Sequence, residues 1–393
     1  MRYRILSIAS MAAATLLLAS CVQGESPGRE EAEGDLVGEG SGDDCVIDDP
    51  VKVGAVFSLT EAAAFAGEYQ QEGLELAFEE LNDKGGVEYE LILEDDKTDL
   101  EESIASFEKL IDRDKVSVIV GPTLSDMAFS TYQDAQQAGV PSIGASTTAE
   151  GIPEIGDYIF RDSLSEQVAL SASIPTAKKA LGLENVAVMS DRQDEFTSSA
   201  YTTMTEVLSD EDIEIVADET FETGDTEFRS QLTKVKDAEP DALVLSALPG
   251  ATIPLVQQAR ELGIDVPIVG GNAFNSPVMI GALEDAAEGL IVGGAWSSAL
   301  DSQGNESFIQ AYTDAYDRAP DQFAAQAYTA AQLIDEAVRA DCDGNREAIK
   351  DNLGLILELE TVLGAVSLDE NGEVYQEPVV QIVEDGKFTL LEG

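Results

Sequence analysis

From Val51 onward the chain alternates short apolar runs with amphipathic stretches of helical period, and it does so twice over. VKVGAVF, YELIL, VSVIV and VPSIG are dominated by β-branched and aliphatic residues, as strands covered on both faces require, so they predict a parallel sheet with helices on either side. Leu74, Ala77, Phe78 and Leu81 fall at i, i+3, i+4 and i+7 of a helix over 67–83 that Gly85-Gly86 ends, and further helices are expected over 100–112 and 125–138. That order specifies a doubly wound α/β sheet. A second series begins after Arg161, with helices expected over 165–181, 197–208, 226–237 and 252–262 and strands VAVMS, IEIVADETF, ALVLSA, VPIVG and LIVGGAW. It repeats the architecture of the first, so the chain reads as two similar lobes. Helices over 304–316 and 322–340 follow, and short strands joined by turns at Asp369-Glu370-Asn371-Gly372 and Asp385-Gly386 close the chain.

Two neighbouring strands of the first series end in hydroxyls. VSVIVG is stopped by Gly121-Pro122 before Ser125 can cap the next helix, and VPSIG runs out into Ala145, Ser146, Thr147 and Thr148. In an open α/β sheet, ligands sit outside the carboxyl ends of the strands, where helix-start N–H groups and small polar side chains receive an anion. The pair reads as a cradle for a carboxylate; taken alone, it reads more readily as an ordinary N-cap and an ordinary Ser/Thr loop.

The first residues join Arg2 and Arg4 to an apolar run too short for a membrane span, followed by Leu18-Ala19-Ser20-Cys21. Residues 1–20 therefore read as a cleaved export signal, and the tetrad resembles the bacterial lipoprotein signal, in which the cysteine is lipidated and tethers the protein to a membrane. Residues 21–50 are rich in Glu, Asp, Gly and Ser and read as a flexible, acidic leash. The formal charge is −55 and the acids are spread along the chain, which makes nucleic acid an implausible partner. The acidity fits either adaptation to high salt or an ordinary exported protein kept soluble by charge.

There is no histidine, which excludes Ser-His-Asp and Cys-His catalysis and the usual zinc sites. Cys45 and Cys342 form an even pair in an exported chain and are expected to be a disulfide. Glu94, Asp95, Asp96 and Asp99 lack the glycine and spacing of a calcium loop and read as a solvated strand end. Neither a Walker motif nor a strand followed by G-x-G-x-x-G occurs, so no cofactor or metal is expected and no catalytic residue is assigned.

VGAVFSLTEAAAFAGEYQQEGLELAFEELNDKGG, VSVIVGPTLSDMA, AGVPSIGAST, GDTEFRSQLTKVKDAEPDAL and LVQQARELGI together resemble the solute-binding proteins of branched-chain amino-acid ABC transporters. The resemblance spans nearly all of residues 51–393 and implies the type I periplasmic-binding-protein fold, two Rossmann-like lobes joined by three hinge crossings near 162–166, 294–298 and 363–368. It places lobe 1 at 51–163 and 297–365 and lobe 2 at 164–296 and 366–393. In that family one lobe holds the α-carboxylate and α-amino group, at positions matching Ser125, Ser146 and Thr148. The other lobe usually supplies a tyrosine, a second aromatic and an acid for the ammonium; the matching positions here are Phe196, Leu248 and Asn272.

A neutral amide at 272 implies a carboxylate ligand without an amine, or an amide, unless Glu195 or Asn275 compensates; an acid placed at 272 is then expected to tighten amino-acid binding. Phe65 reads as facing the cleft mouth or as an exposed loop side chain, and Trp296 as packing the hinge or touching ligand. The implied function is capture of a small amino acid, amide or short carboxylate for an ABC permease, without covalent chemistry. A ligand sensor signalling to a membrane kinase or chemoreceptor is the alternative, and an enzyme with a cleft active site ranks below both, because no base partners the strand-end serines.

Overall fold

The computed structural model describes residues 36–222 and 224–392; the export signal expected over 1–20, the lipidation expected at Cys21 and residues 21–35 lie outside the described residues. The first series folds as β1 (Val51–Phe57), α1 (Ala64–Lys84), β2 (Tyr89–Asp95), α2 (Leu100–Glu108), β3 (Val118–Val120), α3 (Ser125–Ala138), β4 (Ser142–Gly144) and β5 (Ile159–Arg161). These strands form an all-parallel sheet in the order β2-β1-β3-β4-β5. The second series is α4 (Glu166–Leu181), β6 (Asn185–Asp191), α5 (Glu195–Asp210), β7 (Glu214–Phe221), α6 (Arg229–Asp237), β8 (Ala242–Ser246), α7 (Pro249–Glu261), β9 (Ile268–Gly270), α8 (Pro277–Leu283) and β10 (Leu290–Gly294). Its strands run β10-β9-β8-β6-β7, the same winding as the first sheet. In each sheet the order reverses between the first and third strands of its series. That switch point opens a crevice at the strands' carboxyl ends.

After β10 the chain returns to the first sheet as α9 (Asn305–Tyr316), α10 (Gln322–Asp341) and α11 (Arg346–Leu353), then forms a small antiparallel sheet of β11 (Leu359–Thr361), β12 (Gly364–Leu368) and β13 (Val374–Tyr375). α10 lies against α1 at the closest approach a backbone allows: a Cβ on Gly73 would meet Ala324 O at 2.2 Å. α8 and α11, written PVMIGAL and REAIKDNL, are too short to show a clear period and escape the sequence reading.

The chain passes between the two sheets after β5, after β10 and after β13. These passages run over 162–165, 295–304 and 376–378, against readings near 162–166, 294–298 and 363–368. The third comes later than read because of packing: Val366, Leu368 and Val374 bury in the same core as Val53, Phe57 and Phe308, and Arg161 N donates to Gly372 O at 3.0 Å. Only then do β14 (Val379–Glu384), antiparallel to β10, and β15 (Lys387–Leu390) join the second sheet.

The leash reading fails for residues 36–50. Val37 bridges to Asp343 and Glu39 to Val46, Ile47 is buried, and Cys45 is bonded to Cys342, with the two Cα atoms 5.3 Å apart. Average composition marks this stretch as unable to fold alone; Cys45, Ile47 and backbone bonds to Cys342 and Gly344 dock it on the end of α10.

Candidate ligand-binding site

The two switch points face one another across a cavity with about 540 Å³ of empty space, counting its opening to solvent. From the first sheet it is lined by Phe65, which follows β1, Thr123, Leu124 and Ser125 after β3, and Ser146 and Thr148 after β4. From the second come Asp194 and Phe196 after β6, Leu248 after β8 and Asn272 after β9, while α10 contributes Gln322, Phe323 and Gln326. All seven residues singled out by sequence for the site, Phe65, Ser125, Ser146, Thr148, Phe196, Leu248 and Asn272, are thus brought to one cavity. Trp296 is not among the lining residues; its indole N–H donates to Asn305 Oδ1 at 2.8 Å and its ring meets Phe308 edge-on. Phe65 belongs to the first turn of α1 rather than to a loop, half-buried and edge-on to Phe323 at 5.8 Å.

The hydroxyls differ in what they have left to offer. Ser146 Oγ–H donates to Thr123 O at 2.6 Å and its oxygen accepts from Gln70 Nε2 at 2.8 Å, so its proton is committed and its part is to brace the loop. Ser125 Oγ accepts from Ala149 N at 3.3 Å, which leaves its proton free, and Thr148 Oγ1 has no hydrogen bond among the described residues. Ser125 is not the N-cap the sequence suggested. That place is taken by Leu124, which has no side-chain oxygen, so the first N–H groups of α3 stay uncapped beside Ser125 and Thr148. Two hydroxyl protons and an open helix start are donors that can receive an anion.

The second lobe presents an acid that the sequence reading overlooked. Asp194 caps α5, its Oδ1 accepting from Thr197 N at 2.9 Å, and its Oδ2 makes no hydrogen bond among the described residues. Burial raises its pKa, with Asp126 and Asp191 adding to the effect, so the carboxylate stands in a negative field that a cation would relieve. The signal was available: Asp194 follows a strand end as directly as Ser125 does. Glu195, the compensating acid considered from sequence, is exposed, and only its backbone N–H crosses the cleft, to Asp126 Oδ1 at 3.1 Å. Asn275 is buried away from the lining and holds Trp296 O and Gln322 Oε1.

Asn272 is fully engaged. Its Nδ2 donates to Glu166 Oε2 at 2.9 Å and to Leu164 O at 3.0 Å, its backbone N–H donates to the same Glu166 oxygen at 3.1 Å, and its Oδ1 accepts from Gln322 Nε2 at 3.1 Å. The amide spans α4, the loop after β9 and α10, so it locks the second lobe to the returning helix. Burial holds the Glu166 carboxyl up to about 7 against the opposing effect of the Asn272 donors. Because the native state keeps this proton from the ordinary carboxylate range up to about pH 7, Glu166 costs stability only as pH rises through that window. The cost reaches about 3 kcal/mol above it. Glu166→Gln is therefore expected to melt higher than the wild type at pH 8 and no higher at pH 4.5. Parallel melting curves across the range would contradict this; other buried acids whose pKa burial raises, Asp162 and Asp321 among them, are present in both proteins and cancel.

A model of the periplasmic binding protein family matches residues 50–387. The chain belongs to that family. It is 25% identical over 338 residues to the leucine-, isoleucine-, valine-, threonine- and alanine-binding protein of Pseudomonas aeruginosa, covering 83% of this chain and 87% of that one. The branched-chain amino acid transporter substrate-binding protein of Streptococcus pneumoniae, solved in complex with isoleucine, superposes with a TM-score of 0.82 at 29% identity, covering 88% of this chain and 100% of that one. A solute-binding protein of an ABC transporter from Rhodopseudomonas palustris, in complex with 3,4-dihydroxybenzoic acid, superposes at 0.80 with 25% identity over 88% of this chain and 97% of that one. This periplasmic binding protein thus has the type I fold that the resemblance implied.

Proposed function

We propose that this chain is the extracytoplasmic receptor of an ABC importer and that it captures a small α-amino acid between its lobes. The observation that carries the reading is the division of charge across one cavity: hydroxyl protons of Ser125 and Thr148 with the open start of α3 on one side, the Asp194 carboxylate on the other. A zwitterion satisfies both, and Phe65, Phe196, Leu248 and Phe323 supply apolar walls for its side chain. An amine-free carboxylate would leave Asp194 facing like charges without relief. Nothing in the arrangement pairs a nucleophile with a base, so the solute leaves as it arrived.

Backbone N–H groups of each lobe already meet acceptors of the other, Glu195 N to Asp126 Oδ1 and Glu150 N to Ser199 Oγ at 3.2 Å, so the lobes are drawn together at the cleft rim. Ligand contacts on both sides would favour this closed form over an open one. Lipidation of Cys21 would hold the receptor at the outer face of the cell membrane, where an importer's permease takes its cargo.

A thermal-shift screen of the amino acids, their amides and short carboxylates tests the reading, since a solute at a hundred times its Kd adds about 2.7 kcal/mol of stability. Ser125→Ala and Thr148→Val are each expected to weaken the best solute by about 1 to 3 kcal/mol, because each leaves its carboxylate one donor short. Wild-type affinity in both variants would remove them from the site.

A further inference from the structure

The polar side chains around the cavity are nearly all spoken for. Thr123 donates to Gln70 and accepts from Ser58 N, Ser146 is committed to Thr123 and Gln70, and Asn272 bonds Glu166 and Gln322. Gln322 Oε1 accepts from Asn275 Nδ2 at 2.8 Å and Ala295 N at 2.7 Å, and its Nε2 reaches Asn272. With Ser125, Thr148 and Asp194 assigned to the two ends of a zwitterion, one side chain remains. Gln326 is 0% exposed, lines the cavity, and has neither its Oε1 nor its Nε2 hydrogen-bonded.

A buried amide with both ends unpaired costs about 1 to 3 kcal/mol for each missing bond, so such groups stand where something arrives to meet them. Gln326 cannot withdraw by shifting its helix, because Gly73 already brings the α1 backbone against Ala324 two residues earlier. It lies one turn along α10 from Phe323, whose ring packs edge-on against Phe65 at the apolar wall. That is where a solute's side chain would extend once its carboxylate is at Ser125 and its ammonium at Asp194. The offered group is neutral, a donor and an acceptor together.

Resting on the amino-acid reading above, we propose that Gln326 sets the specificity of the cleft, and that the solute is an α-amino acid whose side chain ends in a neutral hydrogen-bonding group, a carboxamide or a hydroxyl. An aliphatic side chain would seal the amide away from water with no partner, and sites built to hydrogen-bond a substrate reject the analogue that lacks the group far more strongly than an apolar pocket rejects a missing methylene.

Three pairs of near-equal shape test this by calorimetry: threonine against valine, asparagine against leucine, and glutamine against methionine. The wild type is expected to bind the polar member at least tenfold more tightly in one pair or more, and Gln326→Met to bring the same pair within threefold or reverse it. The inference is overturned if valine, leucine and methionine bind the wild type as tightly as their partners, a comparison that needs no variant, or if Gln326→Met folds and keeps the polar preference. Binding of none of the six overturns it together with the amino-acid reading on which it rests, whereas tight aliphatic binding overturns the Gln326 assignment alone.

Discussion

Asn272→Asp is expected to destabilise the protein by about 3 to 5 kcal/mol at pH 8, the range seen when a buried charge loses its partner. The substitution exchanges the Nδ2 donor for an oxygen 2.9 Å from Glu166 Oε2, in a place where Glu166 is 1% exposed. Two carboxylates cannot both stay ionised at that separation, so one must take a proton. Leu164 O would also lose its donor. Because protonation relieves the repulsion, most of the loss should return by pH 5, and chemical denaturation at the two pH values measures both. The sequence reading expected the opposite, a gain in amino-acid affinity from an acid at 272. A variant as stable as the wild type at pH 8, with tighter amino-acid binding, would restore that expectation and displace Asp194 from its role.

Removal of the Cys45–Cys342 bridge is the other change with a large expected cost. The two residues are 297 positions apart, and on a chain-entropy view closing so long a loop restricts the unfolded chain by about 5 kcal/mol. Residues 36–50 also depend on it locally, since Gly38 N donates to Cys342 O at 2.8 Å and Gly344 N to Leu36 O at 3.0 Å. Cys45→Ala with Cys342→Ala is expected to lower the melting temperature by about 10 °C and to open the segment before Val51 to proteolysis, while solute binding survives at temperatures where the core stays folded. A melting temperature unchanged in the double variant would show that the unfolded chain is not restrained by this bond.

The lobes are legible in the sequence because each strand and helix advertises itself locally. VKVGAVF is wholly strand β1, and the expected helix over 125–138 is α3 to the residue. The hydroxyl-bearing side of the cleft is legible for the same reason, since strand-end hydroxyls and the following helix are neighbours in the chain. What the sequence conceals is pairing between distant residues. Asn272 and Glu166 stand 106 positions apart, and only their contact shows that the amide at 272 is engaged within the protein. The third passage between the sheets was set too early because β12 and β13 carry the same apolar alternation as strands of either sheet, and only packing against Phe57 and Phe308 assigns them to the first. Gln326 sits in FAAQAYTAAQ, where one polar residue among several on an alanine-rich helix gives no hint that its amide is unpaired.

The claim that one solute is held by its two charges, each from a different lobe, is tested most directly by removing the amine. The tightest amino acid from the thermal-shift screen and the same molecule without its amino group are titrated calorimetrically into the wild type and into Asp194→Asn, a variant whose side chain still caps α5. The wild type is expected to bind the amine-free carboxylate at least a hundredfold more weakly, and Asp194→Asn to abolish most of the difference. Equal affinity of the wild type for the two molecules would contradict it and leave the cleft as a receptor for carboxylates alone.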